Sequence, residues 1–445
     1  MTEPPVLKTK ELNFSYPNGV AALRNVSVEI EKGRKIVFLG PNGAGKSTLF
    51  LQFNGILKPK SGEVLFEGRP LKYDQRSLAK LRARVAMVLQ NPDDQIFSTT
   101  VEEDVAFGPM NLKLERDEVE RRIDEALHLV GMENLRQRPT QQLSFGQRKR
   151  IALAGALAMR PKVLIMDEPT AGLDSEMVHE LMELSDELNH SGMTMIMSTH
   201  DIETAYEWAD EMMVMNKGEL VFAGSPEVLF AQHELIDQLR IVPPFAVRLN
   251  QQAHFRTGRA EQPFPRDLVE VSHKCFPIRS LPSGPTGHRP DPVMGGSGYL
   301  NPSGGTMYVV DVDDPGYPEQ VRLLAERIKD LHLSSGAYGA KARRLVREGK
   351  IDVHHPFHAL ENALLGVSLG GDYVLYTDTS LIPLVGINLA RVEQKVGLRI
   401  NVLFCGHLQT KSGNDTQISA DGKEPENNDS ATNEGAGQTI TSTRS

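Results

Sequence analysis

Three short stretches carry residue types and spacings that could do chemistry. The first is GPNGAGKST, residues Gly40, Pro41, Asn42, Gly43, Ala44, Gly45, Lys46, Ser47 and Thr48. It fits the phosphate-loop pattern G-x-x-x-x-G-K-[ST]. Its glycines let backbone N–H groups approach phosphate oxygens closely. Lys46 can reach β- and γ-phosphates, and the Ser47 hydroxyl can bind Mg²⁺. The competing reading is an ordinary glycine-rich turn. The second stretch is VLIMDE, residues 163–168. Its apolar run places Asp167 where it can hold Mg²⁺, and Glu168 where it can orient or activate a water. Two carboxylates capping a strand or the next helix are the alternative. The third is His200, at the end of MIMSTH. A lone histidine there is more often a structural hydrogen-bonding residue than a catalytic one.

A fourth stretch, LSFGQRKR (143–150), raises a charge question. Ser144 and Gln147 have the spacing of a helix-capping box. Arg148, Lys149 and Arg150 then crowd the first turn, where cations oppose the helix dipole. Either the mismatch is tolerated or an anion sits there.

These groups need rigid elements to hold them. KIVFLG (35–40) is a continuous apolar run ending in glycine, as suits a strand buried on both faces. KVLIMDEP (162–169) and TMIMSTH (194–200) have the same character, while NVSVEI (25–30) and EVLFEG (63–68) are shorter strand signals. Between residues 115 and 130, Val119, Ile123, Ala126, Leu127 and Val130 share one helical face, with Gly131 as a stop. Strands separated by helical stretches predict a parallel α/β core. The bulk composition agrees with an ordinary globular chain: 445 residues, 40% hydrophobic and 24% charged. A net charge of -9 gives no global basic field for nucleic acid. No apolar run is long enough to span a membrane, and the N-terminus lacks an apolar signal core. Cys275 and Cys405 cannot form a disulfide framework, which predicts a cytosolic protein with reduced thiols.

In this order, the pieces over residues 6–240 resemble ATP-binding cassette (ABC) ATPases. The resemblance implies a P-loop α/β ATPase domain with an antiparallel β subdomain and a helical subdomain. It implies ATP and Mg²⁺ as cofactors, and hydrolysis by Glu168 as base with His200 as the switch contacting the γ-phosphate. Tyr16 matches the family's adenine-stacking aromatic. Gln90 matches the Q-loop, which links Mg²⁺ and γ-phosphate to the transport partner. Ser144, Gly146 and Gln147 match the signature that faces nucleotide on a second cassette, and Asp174 in AGLD matches the D-loop. Metal contacts would come from Ser47, Gln90 and Asp167. Phe145 stands where the commonest signature has glycine. Within the family, QNPDDQIFSTTVEEDVAFGPMNL (90–112) is similar to the ATPases of energy-coupling-factor importers, particularly the cobalt and nickel branch. That implies a groove for a coupling helix, with Pro92, Ile96 and Phe97 as groove residues unless they simply fill the core. It also implies membrane-embedded coupling and substrate-binding subunits, a second ATPase subunit, no nucleic acid, and a place on the cytoplasmic face of the membrane. The alternatives are the same machine importing a vitamin, or a soluble cassette ATPase.

Residues 241–306 are rich in Pro, Gly and Ser and read as linker, whereas 307–410 read as a second, smaller α/β domain. Residues 411–445 have the composition of a disordered tail. Beyond the linker, MYVVDV, DYVLYTD and RINVLF look like strands. PEQVRLLAERIKDLHL, AKARRLVREG and LIPLVGINLARVEQKVG look like helices. His354, His355 and His358 could bind a transition metal or be surface and capping groups. Thr377, Asp378, Thr379 and Ser380 follow a strand, where a helix N-terminus could hold an anion or merely be capped. His273 and Cys275 add little. The domain's place after a linker, without a catalytic motif, suggests that it senses a ligand and regulates the ATPase.

Overall fold

The computed structural model describes residues 4–258, 260–275, 305–318, 320, 322, 324, 333–356, 358–396 and 400–405. A six-stranded sheet forms the centre of the cassette. Its order is Glu219–Gly224, Glu211–Asn216, Lys35–Leu39, Thr194–Ser198, Val163–Asp167 and Val85–Val88. All neighbours are parallel except the first pair. The apolar runs arise because both faces are covered. Val37, Leu39, Leu164, Met166, Met195 and Met197 belong to one buried cluster. Ile36, Phe38, Val163, Ile165 and Ile196 belong to the other. The alternation follows from the two-residue period of a strand.

A second sheet, antiparallel in its pairings, contains Leu7–Ser15, Ala21–Val26, Glu29–Ile30, Ser61–Phe66 and Arg69–Pro70. NVSVEI is thus two strand ends rather than one strand. The expected helical face lies on Arg116–Leu129, with Val119, Ile123, Ala126 and Leu127 buried. Beside it pack Val101–Asn111 and Phe145–Leu157.

Register decides what meets at the sheet's C-terminal edge. Phe38 pairs with Ser198, and Ser198 pairs with Asp167. The chain therefore leaves three adjacent strands side by side, at Gly40, His200 and Glu168.

The C-terminal part belongs to the same compact unit as the cassette. It is a four-stranded parallel sheet, ordered Ser334–Tyr338, Tyr373–Thr377, Thr306–Asp311 and Asn401–Phe404. Helices Ala340–Arg347, Ala359–Ser368 and Ile382–Val396 accompany it. The strand Ser334–Tyr338 and the helix Ala359–Ser368 lie beyond the sequence reading. The helix expected over 318–333 falls largely outside the described residues, as does the tail 411–445.

The linker reading needs correction. Within 241–306, Phe245–Thr257 and Leu268–Cys275 are helices. The second is packed on both sides: Val271 joins the cassette core and Val269 the C-terminal core. Arg266 bonds the Ala209 carbonyl at 2.5 Å and pairs with Glu227 at 2.8 Å. Prolines and glycines between short helices gave the segment its linker composition. Residues 276–304 lie outside the described set.

Candidate functional site

The phosphate-loop stretch joins the strand Lys35–Leu39 to the helix Lys46–Phe53. Two of its glycines are required by geometry. At Gly40 (φ 140°) an added Cβ would lie 2.1 Å from the Met215 carbonyl oxygen. At Gly45 (φ 104°) it would lie 2.5 Å from that of Ala22. Among the described residues no side chain accepts from the N–H groups of Lys46, Ser47 or Thr48, so the positive helix end is open. This cradle fits a polyphosphate. The Lys46 ammonium donates to the Gly40 carbonyl at 2.6 Å and more weakly to Pro41 at 3.4 Å. Burial pushes Lys46 below its usual value, against the pull of Glu168 and Asp167. Ser47 is exposed, with its hydroxyl available to a ligand, while Thr48 is buried. The Tyr16 hydroxyl lies 3.0 Å from Thr48 Oγ1, and its ring stands edge-on to Phe14 at 5.1 Å. Tyr16 is thereby fixed beside the loop.

Asp167 ends a strand in which every residue is buried, and Glu168 follows it. Ser198 Oγ donates to Asp167 Oδ1 at 2.5 Å and accepts the Glu168 N–H at 2.9 Å. Glu168 has φ 47°, a left-handed conformation that costs a non-glycine residue on the order of 1–3 kcal/mol. The turn aims its carboxylate at His200, whose Nδ1 lies 2.8 Å from Glu168 Oε2. The His200 side chain remains 76% exposed while that of Glu168 is 9% exposed. The pair thus offers one buried carboxylate and one ring reaching into open space. Asp167 and Ser47 each carry oxygen donors of the kind that suits a hard divalent cation.

The signature stretch is a separate locus. Ser144 caps the helix Phe145–Leu157, and both capping-box bonds to Gln147 are present, at 3.2 and 2.9 Å. Gly146 abuts Met177, and the Phe145 ring covers Gly172. Asp174 caps Ser175–His190 through the Met177 N–H at 2.8 Å. The three cations of LSFGQRKR all have partners within the chain. Arg148 donates to the Leu143 carbonyl at 2.6 Å and pairs with Asp93 at 2.7 Å. Arg150 pairs with Glu180 and donates to the Val130 carbonyl. Lys149 is buried, 5.5 Å from the Phe145 ring centroid, with its ammonium on backbone carbonyls. The charge mismatch at the helix start is thus met by carbonyls and carboxylates of the same chain.

Gln90 is exposed just beyond the strand Val85–Val88. Its loop is anchored by Gln95, which accepts the Leu89 N–H at 3.0 Å and donates to the Ala152 carbonyl at 3.1 Å. Of the expected groove residues, Pro92 is buried, and Ile96 is half-buried against the cassette core. Phe97 is 65% exposed and stands edge-on to Phe107, itself 50% exposed, with Met110 64% exposed on the same helix as Phe107. Buried Asp104 fixes this turn by accepting the Phe97 and Ser98 N–H groups, each at 3.1 Å.

The C-terminal histidines diverge. His354 Nδ1 lies 3.0 Å from Ser335 Oγ, His355 stacks on Tyr373, and His358 Nδ1 lies 2.5 Å from Glu361. No metal-ligand cluster occurs among the described residues. His273 and Cys275 lie on the helix Leu268–Cys275, and no disulfide joins Cys275 to Cys405. Asp378 accepts the N–H groups of Lys341 and Ala342 at 3.0 and 2.9 Å. The Thr379 hydroxyl donates to Asp311 at 2.7 Å. Asp378 thus caps the neighbouring helix Ala340–Arg347, whereas the turn Thr379–Leu381 that it precedes receives no cap from that side chain. Ser198, Lys149 and Gln95 were missed as site residues by the sequence reading. Ser198 was visible as a polar residue inside an apolar strand, and Lys149 as a misplaced charge; Gln95 gave no signal.

A family model described as ABC transporter matches residues 23–171. An energy-coupling factor transporter ATP-binding protein, EcfA2, of Methanospirillum hungatei is 37% identical over 394 residues, covering 88% of this chain and 93% of that protein. The energy-coupling factor transporter ATP-binding protein EcfA of Methanocaldococcus jannaschii is 50% identical over 244 residues, or 55% of this chain and 88% of that protein. Among solved structures, cbiO1 from Clostridium perfringens, part of the ABC transporter complex cbiONQ, is 45% identical. It covers 57% of this chain and 99% of that one, with a TM-score of 0.49.

Proposed function

The chain belongs to the ABC transporter ATPases of the energy-coupling-factor type, and on that premise we propose that it powers uptake of a transition-metal ion, cobalt or nickel. It binds ATP with Mg²⁺ and hydrolyses ATP for transport. In the proposed arrangement the N–H groups opening the helix Lys46–Phe53 receive the phosphates, and Lys46 leaves its loop carbonyls for the β- and γ-oxygens. Ser47, Asp167 and Gln90 hold Mg²⁺, whose charge stabilises the phosphates. Tyr16 stacks on the base. Glu168 accepts a proton from the attacking water, and His200 contacts the γ-phosphate. The carrying observation for these roles is the bonded run Asp167–Ser198–Glu168–His200 at the mouth of the phosphate loop.

Ser144, Gly146, Gln147 and Asp174 serve the nucleotide of a second cassette, so the working unit is a pair of ATPase subunits. Ser144 and Gln147 bond each other and Asp174 bonds the Met177 N–H, none of them the phosphate loop, which supports this reading. Exposed Phe97, Phe107 and Met110 suit the apolar face of a helix from a membrane-embedded coupling subunit. No described helix is long and apolar enough to cross a membrane. The chain then sits peripherally on the cytoplasmic face, and a further membrane subunit binds the substrate. The metal cargo rests on the resemblance of residues 90–112 to the cobalt and nickel branch. The C-terminal sheet is proposed to regulate the cassette. Its Arg343 and Arg347 pair with Glu183, Glu176 and Glu180 on the helix that Asp174 caps.

The test is uptake. The chain, reconstituted in vesicles with its membrane subunits, should accumulate radiolabelled cobalt or nickel in an ATP-dependent way. Accumulation of a vitamin instead would replace the cargo, and no ATP-dependent accumulation of any solute would remove the transport reading.

A further inference from the structure

We propose that Lys149 is a positioning residue for ATP hydrolysis, fixing the Glu168–Ala171 turn, and with it the Glu168 carboxylate, to the signature helix. Its ammonium donates to the carbonyl oxygens of Glu168 at 3.1 Å, Pro169 at 2.9 Å and Ala171 at 2.6 Å. A lysine ammonium has three N–H donors, and here all three point into one turn. Burying an ammonium is costly unless its donors are met. A residue that merely filled space here would more cheaply be apolar. The acceptors are also informative. The Glu168 carbonyl belongs to a residue in the left-handed region, whose N–H is already held by Ser198. Lys149 thus secures the second end of a strained unit whose side chain faces His200. At Ala171 the same ammonium holds the turn leading to Asp174, and it stands over Phe145, which covers Gly172. The helix bearing Lys149 is kept rigid by its capping box. Any movement of the signature helix is therefore carried to the Glu168 turn by three bonds.

Titration gives an independent readout. Burial pushes the Lys149 ammonium down to about 8, against the pull of Glu168. Its helix neighbours Arg148 and Arg150 are turned to Asp93 and Glu180. Above about pH 8 the amine loses its proton and one donor, so the turn loosens. The folded value lies below the ordinary lysine value of 10.5, so the unfolded chain binds this proton more tightly. This group's contribution to stability therefore rises with pH over that window, and an alkaline loss of rate cannot come from its unfolding the protein.

The inference rests on Glu168 being the base, so Glu168→Gln is assayed beside Lys149→Met and Lys149→Arg. All are measured in the full chain assembled with its membrane subunits. Lys149→Met should lower kcat about 10- to 100-fold with KM for ATP within about twofold, the cost of a displaced catalytic group. Lys149→Arg should restore most of kcat; the natural chain should lose kcat above about pH 8, and that fall should vanish in Lys149→Arg. Near-normal kcat for Lys149→Met, or the same alkaline fall in Lys149→Arg, would overturn the proposal. If Lys149→Met does not fold, the pH comparison of the natural chain with Lys149→Arg decides. Normal turnover of Glu168→Gln beside a slow Lys149→Met would remove the base assignment and leave Lys149's hold on the turn standing.

Discussion

Two helices in this chain begin alike and do different work. Lys46–Phe53 and Ala340–Arg347 each follow a parallel strand whose last four residues are buried. Each starts from a glycine in the left-handed region, Gly45 at φ 104° and Gly339 at φ 105°. Both therefore present a positive end at the edge of a parallel sheet, where ligands tend to bind. At Gly45 the N–H groups are left open, and a lysine, two carboxylates and a histidine stand around them. At Gly339 the Asp378 carboxylate, from the neighbouring strand's end, already occupies the N–H groups of Lys341 and Ala342. The second helix carries its anion within the chain. A strand–glycine–helix unit is thus an invitation to an anion, and one side chain from another strand decides whether that invitation remains open.

Three substitutions would break or sharpen this contrast. The largest effect is expected at the open end. Glu168→Gln should keep ATP binding and lose about 10²- to 10⁴-fold in turnover, as befits a removed general base. Near-normal ATPase turnover would mean that the open end does not use this carboxylate. Next comes the seam joining the two regions, where Glu180 meets Arg150 of the signature helix and Arg343 and Arg347 of the C-terminal helix. Glu180→Gln should cost about 2 kcal/mol in urea unfolding, because part-buried Arg150 loses its carboxylate partner while Arg343 and Arg347 keep Glu183 and Glu176. Burial pushes Glu180 up, but the guanidiniums of Arg150, Arg347 and Arg343 outweigh it and hold the carboxyl below its usual 4.5. Its stabilising contribution is therefore complete above pH 4.5 and lost as pH falls through the lowered folded value. The variant should flatten that part of the acid limb; an unchanged acid limb would argue against the linkage. The smallest effect is expected at the plugged end. Asp378→Ala should cost about 1 kcal/mol, the worth of a helix cap, and speed amide exchange at Lys341 and Ala342. ATP affinity should not change. Unaltered exchange at those amides would show that the plug contributes nothing.

The cassette was legible because its chemistry is local. Gly40–Thr48, Asp167–Glu168 and the Ser144–Gln147 cap each sit within a few residues of the strand or helix that presents them. Buried parallel strands also announce themselves as apolar runs. The C-terminal part was only partly legible. The strand Ser334–Tyr338 reads SSGAY, too small and polar to signal burial, and its place is set by pairing with Tyr373–Thr377. The helices at 245–257 and 268–275 were hidden by the prolines and glycines around them. The three histidines are close in sequence, but their side chains turn to Ser335, Tyr373 and Glu361, so proximity along the chain did not become a site.

By itself the sequence determined the phosphate loop, the carboxylate pair, the histidine and the parallel core, since residue type and short-range spacing are enough to specify them. The tertiary structure decided three further matters. Strand register set Ser198 beside Asp167 and so bonded the Glu168 turn in place. Packing turned Lys149 and Arg150 onto carbonyls and a carboxylate 19 to 30 residues away, and Arg148 onto Asp93. Pairing of separate strands brought Asp378 to the helix at Gly339 while leaving the one at Gly45 open. All three depend on groups distant in sequence meeting at hydrogen-bonding range, which local propensity does not encode.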